Sequence, residues 1–257
     1  MCDVCGCATA TGHVHVAGAL LQTQTGRQVE VLHAVLRDND QEAAHNRAHF
    51  AAAGVLVVNL MSSPGAGKTS LLEATIRALY GHLTIAVIEG DLETENDARR
   101  IRGAGAQAVQ ITTGSACHLD AAMVHAALHT LALQEVDILF IENVGNLVCP
   151  AGFDLGQHKN VVLLSVTEGD DKPEKYPVMF RAADLLAVSK VDLTEAVGDF
   201  QTLRALRHFR QLANAAPVLE ISARTGEGMA AWLGWLADER AKCRAAAAPA
   251  RMKHAHD

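Results

Sequence analysis

Apolar residues gather along this chain in short runs, separated by longer stretches of mixed character. Seven runs read as strands: Val55–Leu60, Thr84–Ile88, Gln107–Ile111, Asp137–Ile141, Val161–Val166, Leu185–Val188 and Val218–Ile221. Several are almost continuous in apolar side chains, the pattern of strands covered on both faces. Stretches suited to helix fit between them, among them Lys68–Tyr80, Asp120–Gln134, Asp199–Asn214 and Gly228–Arg244. Such alternation predicts an α/β fold built on a doubly wound, mostly parallel sheet of about seven strands.

Ahead of the first strand, residues 34–53 mix Ala, Leu and Phe with polar groups and predict one helix or two short ones, with Asp38 and Asn39 as caps. Residues 1–33 have no sustained period and predict a flexible tail. Ala245–Asp257 is expected to fray. The expected organisation is a tail over 1–33, a folded domain over 34–244 and a C-terminal tail over 245–257.

Composition narrows the classes. The chain has 257 residues, 49% hydrophobic and 20% charged, with a net charge of −7. That balance fits a globular protein and offers no basic surface to nucleic acid. No apolar run approaches the roughly 20 residues of a membrane span. The N-terminus lacks the basic flank and apolar stretch of a signal peptide. A cytoplasmic protein is expected, in which six cysteines read as thiols or metal ligands rather than disulfides.

The first strand runs into Ser62-Ser63-Pro64-Gly65-Ala66-Gly67-Lys68-Thr69, followed by Ser70. This is a phosphate-binding loop between strand and helix. Backbone N–H groups of Ser63 through Ser70 can turn toward phosphate oxygens, and Gly65 and Gly67 allow the closest approach. Lys68 is positioned for the β- and γ-phosphates, and Thr69 for Mg²⁺. Ser62 stands where the usual motif has its first Gly. In such a sheet, ligands lie beyond the carboxyl ends of the strands. Glu142, after the strand ending at Ile141, is a candidate Mg²⁺ ligand, and Gly145 frees the next loop to move. Asp91, in Glu89-Gly90-Asp91, could hold Mg²⁺ or orient the attacking water.

Ser189-Lys190-Val191-Asp192 resembles the N-K-x-D element of GTPases, in which the acid accepts from guanine's ring N–H and exocyclic amine. Adenine offers neither donor, so a buried acceptor would be left unpaired. Ser222-Ala223 resembles the further element that contacts the guanine carbonyl. GTP with Mg²⁺ is therefore expected, and Ser189 in place of Asn bears on how firmly that loop is tied.

Three thiols, Cys2, Cys5 and Cys7, fall within six residues. With the terminal amine they make an S₃N set suited to Ni²⁺ if square-planar or Zn²⁺ if tetrahedral. Cys117-His118 and Cys149 each lie past the carboxyl end of a strand, at what can be one edge of the sheet. They could form a second S/N site, or be ordinary buried residues, since Cys is often a small core side chain.

Taken together these motifs resemble the nickel-incorporation GTPase of hydrogenase maturation, the HypB family, over nearly the whole chain. The residues that carry the resemblance are Cys2-x-x-Cys5-Gly6-Cys7, Asn59 through Thr69, Glu89-Gly90-Asp91, Cys117-His118, Glu142 through Pro150, and Thr167 through Pro173. The resemblance implies a P-loop NTPase fold of SIMIBI-like type. It also implies GTP hydrolysis, a nucleotide-dependent homodimer, and Ni²⁺ passed to the large subunit of a nickel–iron hydrogenase with a small HypA-type zinc partner. Through it Cys117, His118 and Cys149 become an expected Ni²⁺ or Zn²⁺ site at the dimer interface. The chain departs from the family at Ser189, and it lacks the long histidine run that some relatives carry after the cysteine cluster. The competing readings are a metal-storage protein with a vestigial nucleotide site, a small-molecule kinase, and a urease-type accessory GTPase.

Overall fold

The computed structural model describes the backbone of residues 21–91, 95–114 and 116–253, and the side chains of 35–91, 95–114 and 116–247. Cys2, Cys5 and Cys7 lie outside the described residues.

Seven strands form one sheet: β1 (Leu56–Met61), β2 (Ile85–Asp91), β3 (Gln107–Thr112), β4 (Ile138–Glu142), β5 (Lys159–Ser165), β6 (Leu185–Ser189) and β7 (Val218–Ile221). Their order is β3-β2-β4-β1-β5-β6-β7, and all six neighbouring pairs are parallel. The expected sheet was mostly parallel; among the described strands it is wholly so. β1 is buried along its whole length between β4 and β5. That explains why its run shows no apolar–polar alternation.

Nine helices accompany the sheet among the described residues: α1 (Leu21–Ala53), α2 (Lys68–Leu79), α3 (Asn96–Ala104), α4 (Ala121–Leu128), α5 (Lys172–Lys175), α6 (Pro177–Arg181), α7 (Thr194–Val197), α8 (Thr202–Gln211) and α9 (Met229–Lys253). Strand side chains alternate between two faces. Leu56, Val58 and Leu60 pack with Leu72 and Ile76 of α2, Ile101 of α3 and Trp232 of α9. Val55, Val57 and Ile141 pack on the opposite face with Phe50 of α1 and Val124 of α4. Further along, Val162, Leu164 and Val188 pack with Phe180 of α6 and Phe209 of α8.

Three boundaries differ from the sequence expectation. Helix α1 is already formed at Leu21, the first described residue, and runs unbroken through Asp38 and Asn39. Asn39 caps a different helix. Its amide oxygen accepts from the N–H of Ala121, the first residue of α4, at 2.9 Å, and its amide nitrogen donates to the Asp154 carbonyl at 2.8 Å. Helix α4 stops at Leu128, where Thr130 turns back through its N–H and hydroxyl onto the Ala127 carbonyl. Helix α9 continues to Lys253 through the Ala-rich stretch, whose composition favours helix.

Candidate nucleotide and metal centre

β1 enters the phosphate loop at the centre of the sheet, where strand order diverges to either side. Gly65 and Gly67 take φ values of 74° and 100°, left-handed conformations that open the loop above the N-terminus of α2. Lys68 Nζ donates to Ser62 Oγ at 3.1 Å, and that hydroxyl donates to the Ser63 carbonyl at 2.7 Å. Ser62 therefore holds the lysine across the loop mouth.

Thr69 Oγ1 donates to Glu142 Oε1 at 2.8 Å. Glu142 stands at the end of β4 beside Glu89 of β2 and Asp97 of α3, and one carboxylate oxygen from each lies within 4.8 Å of the others. Oε2 of Glu89 and Oε2 of Glu142 are buried without a hydrogen-bond partner. Burial, and then repulsion from Glu142, push the Glu89 carboxyl up to about 11. Burial likewise raises Glu142 against the pull of Lys68 and Thr69. Buried acids with unsatisfied oxygens beside a threonine hydroxyl are the hard oxygen set that Mg²⁺ takes. Asp91 lines the same cavity of about 400 Å³, together with Gly65, Gly67, Thr69, Ser70 and Lys190. Glu89 and Asp97 received no role in the sequence reading. Glu89 interrupts the apolar run of β2, where a buried charge is informative; Asp97 lies in the first turn of α3 and resembles any first-turn acid.

A second cavity of about 480 Å³ adjoins the first, sharing Gly67, Ser70 and Lys190 with it, and is lined also by Ala66, Ser189, Asp192 and Ala223. Ser189 Oγ donates to the Ala66 carbonyl at 2.7 Å, and Lys190 Nζ donates to the Gly65 carbonyl at 2.6 Å. Ser189 thus ties this loop to the phosphate loop despite replacing Asn. Asp192 accepts from Ser222 Oγ at 2.6 Å and from Arg224 Nε at 2.8 Å. The Ser222 hydroxyl, and then Arg224, hold its carboxyl below the usual range. It presents a fixed carboxylate to the cavity.

The loop after β4 links this cavity to the thiols. Gly145 lies so close to the phosphate loop that a Cβ there would meet Pro64 Cα at 2.8 Å. Asn146 Oδ1 accepts from the N–H groups of Val148 and Cys149 at 2.8 and 3.4 Å. Asn143 Oδ1 accepts from the N–H of Leu119 at 3.1 Å, fixing the Cys117-His118 loop alongside. Ligand atoms of Cys117, His118 and Cys149 lie within 4.8 Å of one another. His118 stacks on Phe153 with ring centroids 3.9 Å apart, and burial lowers its pKa, favouring the neutral, ligating imidazole. Two thiols and an imidazole suit Ni²⁺ or Zn²⁺.

The family model for the nucleotide-binding domain of CobW/HypB/UreG matches residues 56–220. Hydrogenase maturation factor HypB of Rhizobium leguminosarum bv. viciae is 52% identical over 223 residues, covering 87% of this chain and 73% of that one. The crystal structure of HypB from Helicobacter pylori in complex with nickel superposes with a TM-score of 0.76 at 41% identity, covering 80% of this chain and 96% of that one. HypB from Archaeoglobus fulgidus gives 0.75 at 40% identity, covering 80% and 100%. The family model spans well over half of the chain and the Rhizobium relative is 52% identical over 87% of it, so this chain belongs to the HypB family of hydrogenase maturation factors.

Proposed function

We propose that this protein is a GTP-hydrolysing nickel metallochaperone, which supplies Ni²⁺ for the maturation of a nickel–iron hydrogenase. One observation carries the reading. A single loop, Glu142 to Cys149, starts at the acid beside Thr69, presses on Pro64 and ends in the thiol–imidazole cluster. A change at the phosphates is thereby delivered to a metal ligand.

In this reading, backbone N–H groups from Ser63 to Ser70 hold the phosphates, and Lys68 leaves Ser62 for the β- and γ-oxygens. Thr69, Glu142 and Glu89 would hold Mg²⁺, which when bound neutralises charge developing on the phosphoryl oxygens. Asp91 orients the attacking water. Asp192 accepts from guanine, Ser222 and Ala223 close on the carbonyl edge, and Lys190 covers the base. Catalysis then rests on positioning and charge, so turnover without a partner is slow.

Cys2, Cys5 and Cys7 with the terminal amine form the tail nickel site, and Cys117, His118 and Cys149 take Ni²⁺ or Zn²⁺ at the face of a nucleotide-dependent homodimer. The partners are a HypA-type zinc protein and the hydrogenase large subunit, met in the cytoplasm. Among the described residues no helix is long and apolar enough to cross a membrane. The test is turnover and transfer together. The purified chain should hydrolyse GTP in a Mg²⁺-dependent way, and nickel should pass to a chelator at different rates with GDP and with a non-hydrolysable GTP analogue. ATP turnover equal to GTP turnover, or equal nickel transfer in both states, overturns the reading.

A further inference from the structure

Helices α1 and α4 pack side by side on the face of the sheet away from α2. Each carries two histidines one turn apart, His45 and His49 on α1, His125 and His129 at the end of α4. Side chains four residues apart share a helix face, so the rings of His45, His49 and His125 meet in the groove between the two helices, with His129 edge-on to His125. Ring centroids are 4.7 Å apart for His45 and His49, 4.7 Å for His45 and His125, 5.4 Å for His49 and His125, and 4.9 Å for His125 and His129. One nitrogen each from His45, His49 and His125 lies within 4.8 Å of the others. None of these residues belongs to the nucleotide cavity or to the thiol cluster.

Hydrogen bonding fixes which nitrogen faces the gap. The Asn46 amide nitrogen donates to the carbonyls of Ala121 at 2.8 Å and Leu155 at 3.2 Å. Its amide oxygen is thereby turned to His125 Nδ1, 3.0 Å away. An oxygen there can only accept, so Nδ1 carries the proton, and in the neutral ring Nε2 is the nitrogen with the free lone pair. On α1, Glu42 lies 3.5 Å from Nδ1 of His45 and 3.5 Å from Nδ1 of His125. A carboxylate behind a histidine is the arrangement that orients and strengthens a metal-binding imidazole. The Nε2 atoms of His45 and His49 are 3.2 Å apart. Two nitrogens bound to one ion at about 2.0–2.1 Å in a tetrahedron lie about 3.4 Å apart. The pKa of His49 is lowered, by burial first and then by His45, His125 and His129, so its ring tends to the neutral form.

We propose that His45, His49 and His125 form a thiol-free metal site for a borderline divalent ion, Ni²⁺ or Zn²⁺, with water completing the coordination. Neutral imidazoles suit such ions, and the absence of sulfur separates this site from the cysteine sites. His45, His49 and His129 are exposed and His125 is half-buried, so an ion reaches the groove directly from solution. The ion is held on the helix that follows the Cys117-His118 loop. This placement does not depend on what the nucleotide does.

The experiment uses the full chain without an affinity tag, titrated with Zn²⁺ alone and with Ni²⁺ alone. Replacing His49→Gln and His125→Gln together should remove one equivalent of bound ion while GTP hydrolysis stays unchanged. In a second chain, Cys2, Cys5, Cys7, Cys117 and Cys149 are replaced by Ala. That chain should keep one equivalent, and the ring resonances of His45, His49 and His125 should shift with Zn²⁺ and broaden with Ni²⁺. Unchanged stoichiometry in the histidine variant overturns the proposal. So does a folded cysteine variant that binds no ion, or one whose bound ion leaves those resonances unmoved.

Discussion

The hydroxyl of Ser189 donates to the carbonyl oxygen of Ala66 across 2.7 Å, joining the loop after β6 to the phosphate loop. Both groups are buried, so the bond is shielded from competing water. It does the tethering that an Asn amide does at this place in GTPases. Removing it with Ser189→Ala should weaken GTP binding by about 1 kcal/mol, roughly fivefold, and speed GDP release. Ser189→Asn should restore both. Stopped-flow nucleotide binding supplies the numbers, and an unchanged release rate in the alanine variant would remove the tether from the account.

Asp192 is held by Ser222 and Arg224 with its carboxylate toward the base cavity. Asp192→Asn replaces one acceptor oxygen by a donor NH₂ that opposes guanine's own donors. Preference for GTP over ATP should fall at least tenfold, the order expected when a charged hydrogen bond is lost. Competition binding with both nucleotides measures it.

Glu89 and Glu142 make the nucleotide-free protein pH-sensitive. The folded-state pKa of Glu89 is raised to about 11, whereas unfolded glutamate titrates near 4.3. The folded chain therefore retains a proton that the unfolded chain has released. Stability is fully present below the unfolded pKa and falls as pH rises toward the folded one. The melting temperature without nucleotide should drop between pH 6 and pH 9. Glu89→Gln should flatten that slope, and Mg²⁺ with GDP should flatten it in the wild type. A wild-type melting temperature that rises over the same range contradicts the raised carboxyl.

Gly145 lies against Pro64, and Cys149 is anchored four residues later through Asn146. Gly145→Ala forces the two loops apart. Linkage requires nucleotide to alter metal affinity and metal to alter nucleotide affinity by one factor, about 5- to 150-fold for a coupling of about 1–3 kcal/mol. Nickel affinity of the wild type should differ between GDP and a non-hydrolysable GTP analogue within that range. In Gly145→Ala the difference should shrink toward unity, and in Cys149→Ala it should vanish. Calorimetry in the two nucleotide states decides, and equal affinities in the wild type would leave the centres uncoupled.

Cys2, Cys5 and Cys7 give the remaining expectation. A chain beginning after Cys7 should lose one tightly held Ni²⁺ and its thiolate charge-transfer absorption. Affinity of the intact chain should fall with pH as thiolates take up protons. Retention of that absorption in the shortened chain would assign it to another site.

What local pattern can carry was legible along the chain. Buried strands show as apolar runs because both faces are covered, so all seven appear in the chain, six of them offset at one or both ends. The phosphate loop, Asp192 and the Cys117-His118 pair are legible because their chemistry needs particular residues at fixed spacing. Tertiary structure decided what depends on distance across the chain. Asn39 reads as a helix cap by composition, yet its partners Ala121 and Asp154 lie 82 and 115 residues away, so α1 passes straight through it. Glu89 and Asp97 become neighbours of Glu142 only once β2, β4 and α3 converge. The four histidines lie in two pairs about eighty residues apart, and either pair alone reads as a solvated helix face. Only the packing of α1 on α4, with Asn46 fixing the ring of His125, turns His45, His49 and His125 toward one point. Local signals report backbone preference and burial; the convergence of side chains from separate elements is a property of the packed core, and no window of the sequence contains it.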